Sequence, residues 1–227
     1  TLDCGTMNFA EADYVMTNTP GMLRAMGGMM TALGVKPEIE AFDTGHLWFA
    51  KQLVQEGTLA PQALVQLCMG VPWGAPNDLN TLMAMVNAVP DDWTWSAFSL
   101  GRNQMPYVAA AVLAGGNVRV GLEDNLYLDK GVLATNAQLV ERAVSIIENL
   151  GARVIGPEAV RAKLGLVKRA PSPHSERRIC PECGRIFQGK SWEGIDAHWK
   201  SQHEDIMPYA DAWPLLKAGT YPGMRNQ

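Results

Sequence analysis

Short runs of apolar residues alternate with longer segments of helical length over the first 166 residues of the chain. Each run ends in or beside glycine, asparagine or an acidic residue, which is typical of a strand that is followed by a turn. The predicted strands span residues 1–8, 37–44, 63–69, 94–100 and 117–122. The intervening segments predict helices over residues 20–33, 47–55, 79–89, 107–114, 137–150 and 157–164.

Strands that are joined through helices indicate a parallel sheet, because a crossover is needed to bring the chain back to the same edge. In parallel α/β proteins the chemistry is carried at the carboxyl ends of the strands. No glycine-rich phosphate loop follows the first strand, so dinucleotide binding is only weakly indicated. Polar residues gather at the predicted strand ends, at Asn8, Asp43, Arg119, Glu123 and Asp124.

The rhythm of the pattern favours an α/β fold of the (β/α)₈ TIM-barrel class. Such a barrel needs eight units and about 250 residues, whereas the pattern gives five units. We therefore expect a barrel truncated to its last five βα units, with the missing N-terminal units lying outside this chain or in another chain. The first residue, Thr1, is not methionine and leads directly into a strand, which agrees with this expectation. Open sheet edges favour association, so we expect a homo-oligomer.

The composition excludes several classes of protein. Of the 227 residues 47% are apolar and 19% are charged, with a net charge of -4, which does not fit a chain that is disordered throughout. No run of about 18 apolar residues predicts a membrane span, and the first residues do not resemble a signal peptide. Two isolated cysteines and one Cys-x-x-Cys suit a reducing compartment. We expect a cytoplasmic protein without a membrane partner.

The sign of the charge changes near Lys168. Residues 1–167 carry 10 Lys and Arg against 16 Asp and Glu, whereas residues 168–227 carry 9 against 7. Residues 168–178 combine prolines, serines and basic residues, which is the composition of a linker. The predicted organisation is a partial TIM-barrel domain over 1–167, a linker over 168–178, a small module over 179–206 and an irregular tail over 207–227.

The small module contains a zinc-binding pattern. Cys180, Cys183, His198 and His203 follow the spacing Cys-x₂-Cys-x₁₄-His-x₄-His, which is close to that of C₂H₂ zinc fingers. About 30 residues cannot fold by apolar burial alone, so a structural Zn²⁺ ion is predicted to supply the folding energy. A structural or protein-contact role is favoured over nucleic-acid binding, because a single finger rarely binds DNA specifically. The basic linker still allows a weak attraction to phosphates.

Five stretches within residues 1–166 carry a resemblance to a known family. They read TLDCGTMNF (1–9), KPEIEAFDTG (36–45), SLGRNQMP (99–106), NVRVGLEDN (117–125) and TNAQLVE (135–141). The chain resembles the β-keto acid cleavage enzymes, whose founding activity is 3-keto-5-aminohexanoate cleavage in lysine fermentation. The resemblance implies a (β/α)₈ barrel with a catalytic zinc. It implies an acyltransferase that takes a β-keto acid and acetyl-CoA, releases acetoacetate and leaves the remainder as an acyl-CoA.

The resemblance also implies roles for four residues. Glu123 matches the family's carboxylate zinc ligand. Arg119 and Asp124 match a pair that handles the substrate and its proton transfers, and Glu40 matches an acidic active-site residue on the fifth barrel strand. The chemistry agrees, because Zn²⁺ polarises a ketone, an arginine fork holds a carboxylate and a paired carboxylate can act as a base. The family's His-x-His zinc ligands have no counterpart here, since His46 is the only histidine of residues 1–167, so we expect an incomplete site.

The residues alone leave other interpretations open. Glu123 and Asp124 could cap the following loop and helix, and Arg119 could form a purely structural ion pair with its neighbours. A second class of function is a zinc-finger interaction protein in which the barrel part is an inactive scaffold, and a third is a degenerate gene fragment. The sequence names neither the β-keto acid nor what the zinc finger contacts.

Overall fold

The computed structural model describes residues 1–9, 13–167, 178–187, 192 and 194–222. The chain divides into two compact units, Thr1–Leu166 and Val167–Gln227, which are called unit 1 and unit 2 below. The predicted linker lies outside the described residues except for its last position. No helix in the described ranges combines the length and the apolar character that a membrane span requires.

Unit 1 alternates strands and helices, as the hydrophobic pattern predicts. In chain order its elements are β1 (Leu2–Asp3), β2 (Met7–Asn8), β3 (Val15–Met16), α1 (Pro20–Ala32), β4 (Glu38–Ala41), α2 (Thr44–Gln55), β5 (Leu64–Met69), α3 (Leu79–Ala88), β6 (Thr94–Ser99), a 3₁₀ turn (Gly101–Asn103), α4 (Gln104–Leu113), β7 (Asn117–Val118), β8 (Tyr127–Asp129), β9 (Val132–Leu133), α5 (Asn136–Asn149) and α6 (Pro157–Lys163).

Five strands form one parallel sheet in the order β1-β4-β5-β6-β7. The prediction of one strand over 1–8 is wrong, because the chain turns at Gly5 and β2 then pairs with β3 in a separate hairpin. The strand predicted over 117–122 ends at Val118, since the loop closes on the carbonyl of Gly121. The β8–β9 hairpin was not predicted.

The register of the sheet places one polar row across all five strands. Each strand contributes one residue to this row, and each residue is the register partner of the next one on the neighbouring strand. The members of the row are Asp3, Glu40, Gln66, Ser96 and Asn117. Because alternate residues of a strand point to opposite faces, the residues between them form the other face. That face packs under the helices through Ile39, Val65, Leu67 and Ala97, which are at most 1% exposed.

Side-chain caps fix several helix starts of unit 1. Asp43 accepts from the N–H of Gly45 at the start of α2, and Asp78 accepts from Thr81 at the start of α3. Thr135 and Gln138 form a reciprocal capping box at the start of α5. Each cap satisfies an N–H that has no partner within the helix, so the loops that lead into the helices are held in place.

Unit 2 contains β10 (Arg178–Ile179), β11 (Ile186–Phe187), α7 (Ile195–Gln202) and α8 (Tyr209–Ala218), with β10 and β11 antiparallel. Its core consists of Cys180, Phe187, Ile195, Trp199, Ala212 and Leu216. The prediction of an irregular tail over 207–227 is wrong for residues 209–218. Ala212 and Leu216 lie four positions apart and bury one face of a helix against that core. This burial outweighs the tendency of proline to interrupt a helix, on which the prediction rested.

Candidate active site and metal-binding cluster

The guanidinium of Arg119, directly after β7, is the centre of a charged cluster in unit 1. Its Nε and Nη2 donate to the two carboxylate oxygens of Asp124, at 3.0 and 2.9 Å. Nη2 also lies 3.0 Å from the carboxylate of Glu123. Nη1 donates to Oε1 of Gln66 at 3.2 Å and lies 3.6 Å from Oε2 of Glu40. The three acids that the resemblance assigns to the site therefore reach one guanidinium group, whereas Asp43 caps α2.

The loop after β7 turns tightly enough to return Asp124 to Arg119. The N–H groups of Asp124 and Asn125 both donate to the carbonyl of Gly121, at 3.2 and 3.1 Å. The Asp124 side chain is 3% exposed, whereas the Glu123 side chain beside it is 83% exposed. Asp124 therefore orients the guanidinium from its buried side, and Glu123 faces the solvent.

The surroundings of the cluster change the acidity of two carboxyl groups. Burial raises the pKa of Asp124 above its ordinary value, against the opposing hydrogen bonds from Arg119. Burial raises the pKa of Glu40 to about 7, and nearby carboxylates add to the rise although Arg119 opposes it. The ring of Phe98 lies 4.2 Å from the guanidinium carbon and shields it from water. Glu40 can therefore bind and release a proton near neutral pH.

The cluster joins side chains of strands that are not adjacent in the sheet. Glu40 belongs to β4 and Arg119 follows β7, and three strand spacings, or about 14 Å, would separate the two backbone positions in a flat sheet. Their charged groups lie 3.6 Å apart. The two long side chains span much of this distance, and curvature of the kind found in closed α/β sheets would shorten the rest.

A cleft of about 480 Å³ opens over this cluster. Phe9 packs edge to face against Tyr14 and Phe42, with ring centroids 6.2 and 6.5 Å apart; these three rings are called the aromatic wall. The charged residues that line the cleft bring four carboxylates and one guanidinium, namely those of Asp3, Glu40, Glu123, Asp124 and Arg119. The excess of acids makes the cleft suited to a ligand that carries a positive charge.

His46 has a structural environment in the first turn of α2. Its Nδ1 accepts from the N–H of Phe42 at 3.3 Å. Burial lowers its pKa, against an opposing hydrogen bond to the backbone of Thr6. A Cβ on Gly5 would lie 2.2 Å from the imidazole ring, so glycine is needed there. These contacts account for both ring nitrogens of His46 in its neutral form.

The family's catalytic zinc does not fit the described part of unit 1 by itself. A catalytic zinc is held by about three protein ligands, and the resemblance assigns that role to Glu123 alone in this chain. Across the described residues, the one group of three or more Cys, His, Asp or Glu side chains whose ligand atoms lie close enough together to hold a metal ion is in unit 2. No reaction step is therefore assigned to a metal ion in unit 1.

The four residues of the predicted zinc finger come together in unit 2. Their ligand atoms all lie within 4.8 Å of one another. The Nε2 atoms of His198 and His203 are 3.2 Å apart, and each lies near a sulfur, of Cys183 at 3.3 Å and of Cys180 at 3.4 Å. Cys180 and both histidines are buried, and Cys183 lies at the surface.

Sequence reasoning missed three residues of the unit 1 site. Gln66 accepts from Arg119, Phe98 lies against its guanidinium, and Asp3 lines the cleft. A usable signal was present in the alternation of the strands. Gln66 is the polar member of the apolar run that forms β5, so its position in a buried parallel strand needs a partner.

The fold of unit 1 and the position of its site are typical of α/β enzymes. Unit 1 is a parallel α/β domain whose charged side chains converge on a cleft, and the cluster gathers at the end of β7, which is the usual location of an α/β enzyme's active site. Residues 1–166 match the family described as beta-keto acid cleavage enzyme. The chain belongs to this family.

Curated relatives agree with the family assignment. The chain is 75% identical over 169 residues to the 3-dehydrocarnitine:acetyl-CoA trimethylamine transferase of Rhizobium meliloti, covering 74% of this chain and 56% of the relative. It is 38% identical over 169 residues to the 3-keto-5-aminohexanoate cleavage enzyme of Fusobacterium nucleatum, covering 74% and 61%. The chain thus spans a little over half of these relatives' length.

A solved structure supports the fold. The complex of ObcA with oxaloacetate superimposes with a TM-score of 0.61 at 20% identity, covering 72% of this chain and 44% of that one. At this identity the likeness concerns the fold alone. It agrees with the five-stranded parallel α/β architecture of unit 1.

Proposed function

We propose that unit 1 is part of an acetyl-CoA-dependent β-keto acid cleavage enzyme and part of a (β/α)₈ barrel. In the proposed reaction the bond between the ketone carbon and the CH₂–carboxylate group of the keto acid breaks. That CH₂–carboxylate group joins the acetyl group of acetyl-CoA and leaves as acetoacetate, while the remaining acyl group is transferred to the CoA sulfur. The observation that carries the proposal is the convergence of Glu40, Glu123 and Asp124 on Arg119 in a chain of this family.

In this proposal Arg119 binds the carboxylate of the keto acid. Asp124 occupies Nε and one hydrogen of Nη2 and holds the fork in one orientation. The exposed carboxylate of Glu123 occupies the outer side of Nη2, and the carboxylate of an entering substrate can take its place at little cost. Arg119 then keeps its buried partner while it gains a substrate contact.

Glu40 is the proton-transferring residue in the same proposal. Both oxygens of Asp124 are engaged by Arg119, whereas Glu40 is 3.6 Å from Nη1 and lines the cleft. Its pKa of about 7 suits a group that must both take and return a proton. Glu123 remains our candidate for a zinc ligand in the complete enzyme, and no step is assigned to that metal.

The keto acid is proposed to carry a quaternary ammonium group at the end away from its carboxylate. Even when Glu40 is protonated, three carboxylates face one guanidinium and favour a cation in the cleft, and the aromatic wall supplies ring faces that attract such a group. The name of the Rhizobium meliloti relative, which includes 3-dehydrocarnitine and trimethylamine, supports this choice.

A pair of matched ligands tests the proposed substrate class. L-carnitine and 3-hydroxybutyrate share a carboxylate and a hydroxyl group, and only carnitine carries the ammonium group. We expect the full chain to bind carnitine more tightly by calorimetry, and Tyr14→Ser to weaken that binding about 2- to 30-fold through the loss of a ring contact. Tyr127→Ser is the control, because Tyr127 is similarly exposed and lies outside this cleft. Equal binding of the two ligands would contradict the proposed charge preference.

Turnover tests the reaction itself. The full chain is incubated with 3-dehydrocarnitine and acetyl-CoA, and acetoacetate and the new acyl-CoA are measured by mass spectrometry. Because the site of this chain is incomplete, we expect only a low yield of the two products, formed in equal amounts, and its loss in Arg119→Lys, which cannot reproduce the planar fork. If carnitine binds but no product forms, the proposed role of the cleft in binding would stand and the proposed reaction of this chain would not. The absence of both binding and product would overturn it.

A further inference from the structure

We propose that unit 2 binds one Zn²⁺ ion through Cys180, Cys183, His198 and His203, in a closed site that stabilises the fold of this unit. The site shares no residue with the cleft of unit 1, and we assign it no part in the chemistry of that cleft. Neither the family match, which ends at residue 166, nor the function proposed above assigns it.

The spacing of the ligand atoms fits a tetrahedral zinc centre. With Zn–N near 2.05 Å and Zn–S near 2.3 Å, a regular tetrahedron has edges of about 3.3 Å between nitrogens and about 3.6 Å between nitrogen and sulfur. The two Nε2 atoms lie 3.2 Å apart, and the two nitrogen–sulfur contacts are 3.3 and 3.4 Å. Three of the six distances between the ligand atoms are therefore close to those of a zinc site, and the other three are at most 4.8 Å.

The scaffold around the four ligands explains why they converge. Both cysteines lie in the turn between β10 and β11, where the N–H of Gly184 donates to the carbonyl of Cys180. His198 lies in α7, and His203 lies directly after its last residue. The antiparallel pair and the helix thus present two sulfurs and two imidazoles to one point, which is the arrangement of a ββα zinc finger.

The size of unit 2 explains what the metal contributes. Among the described residues of unit 2, six apolar side chains are buried in its core, and Cys180 is one of them. So few cannot offset the conformational entropy of the chain. Four protein ligands fill a tetrahedral zinc and leave no open position for a substrate. The ion is therefore structural, and its binding energy is folding energy.

One contact must change when zinc binds. Nη1 of Arg185 lies 3.3 Å from Nδ1 of His198, and an arginine N–H can only donate. If Nδ1 accepts that bond, the single proton of the neutral ring lies on Nε2, which then cannot bind a metal. Zinc binding therefore moves the proton to Nδ1 and turns Arg185 away. We therefore expect the Arg185→Met chain to bind zinc several-fold more tightly. The Arg178→Met chain is the control, because Arg178 is a cation that lies over the ring of Trp192, and its loss should not tighten zinc binding.

The charge of unit 2 gives little support to nucleic acid as a partner of this site. Over residues 167–227 nine Lys and Arg stand against seven Asp and Glu. So small an excess of positive charge gains little from the release of counterions. We therefore favour a role that is internal to the fold.

Elemental analysis of the full chain tests the site. We expect Cys183→Ser and His203→Asn each to carry one zinc ion per chain fewer than the unsubstituted protein. Asp205→Asn, a neighbouring surface acid, and Glu123→Gln, in the cleft of unit 1, should both retain it. Unchanged zinc in Cys183→Ser, or zinc that is lost only in Glu123→Gln, would overturn the proposal.

A spectroscopic measurement covers the case in which a substituted chain fails to fold. The unsubstituted full chain is stripped with a chelator and titrated with Co²⁺. We expect the intense d–d absorption of tetrahedral cobalt together with a thiolate charge-transfer band, and the displacement of both by zinc. The weak absorption of six-coordinate cobalt, or no cobalt binding, would overturn the site. Hydrogen bonds among the four side chains would then account for their contacts.

Discussion

Asp124 binds Arg119 through both carboxylate oxygens, at 3.0 and 2.9 Å, from five positions further along the chain. A bidentate pair of this kind fixes the plane of the guanidinium as well as its position. The remaining donors of Arg119 are thereby directed at Gln66, Glu40 and Glu123. The short loop after β7 thus sets the geometry of a site whose other members come from distant strands.

Loss of Arg119 should destabilise unit 1 strongly. Arg119→Met leaves the carboxylate of Asp124 buried without a partner, and such a change costs about 3 kcal/mol. Arg24→Met is the matched control, since Arg24 forms an equally close fork with Glu56 on the surface, where water replaces the lost contacts. Urea denaturation should show a large loss of stability for the first variant and little for the second. Equal losses would mean that the buried pair has no special structural role.

The stability of unit 1 should fall as Glu40 ionises. The folded chain keeps the Glu40 proton up to its pKa of about 7, whereas an unfolded chain releases it near pH 4.3. Folding therefore takes up a proton between these values, and the free energy of unfolding decreases as the pH rises through the window. Glu40→Gln lacks this titration, so above pH 7 it should gain on the order of 2 kcal/mol relative to the unsubstituted chain.

Denaturation of Glu40→Gln and of the unsubstituted chain, at intervals from pH 4 to pH 8, measures the difference between their free energies of unfolding. The gain should be absent near pH 4, because both chains then carry a neutral side chain at position 40. A difference that stays constant with pH would show that Glu40 is ionised throughout.

Gly5 should tolerate no side chain. A Cβ at this position would lie 2.2 Å from the ring of His46, and the φ of +155° suits glycine. Gly5→Ala should therefore lower the stability of unit 1 by about 1–3 kcal/mol through overpacking. Gly28→Ala, on the open side of α1, should instead raise it by about 0.5–1 kcal/mol. Thermal denaturation of the two variants should thus show shifts of opposite sign.

The cysteines should differ in their reactivity toward iodoacetamide. Burial raises the pKa of Cys4 to about 12 and also raises that of Cys68, so both thiols should stay unmodified until the chain is denatured. Cys183 is exposed and should react in the native chain only after zinc is removed by a chelator. Peptide mass spectrometry at pH 8 measures the order of modification. Reaction of Cys183 at the same rate with and without the chelator would speak against a metal on its sulfur.

The hydrophobic pattern predicted the elements of unit 1 well because each buried strand and amphipathic helix leaves a local signal. It failed where tertiary contacts decide the outcome. Nothing local distinguishes Met7–Asn8 from the end of β1, yet it pairs with Val15–Met16 instead of joining the sheet. The early end of β7 at Val118 also depends on the turn at Gly121, which serves Asp124.

The candidate site was predictable in part for the same reason. Glu40, Arg119, Glu123 and Asp124 were found through the family motifs, and the structure brings them together. Gln66 and Phe98 lie outside those motifs, and their contribution depends on the register and curvature of the sheet. In unit 2 the predicted ligand spacing picked out four residues whose side chains the structure brings together, and their binding of zinc stays a prediction. The helix Tyr209–Ala218 was missed because its prolines concealed its apolar face.

The meeting of side chains from distant strands at Arg119 also predicts an order of events in folding. Gln66 and Arg119 are 53 positions apart, and Glu40 lies further still from the same guanidinium. Contacts between residues so distant in sequence require large loops to close, and such contacts form slowly. The charged cluster can therefore assemble only after β4, β5, β6 and β7 have joined in register. Its ion pairs, absent from any partly folded chain, would stabilise only the finished sheet and so act mainly by slowing unfolding.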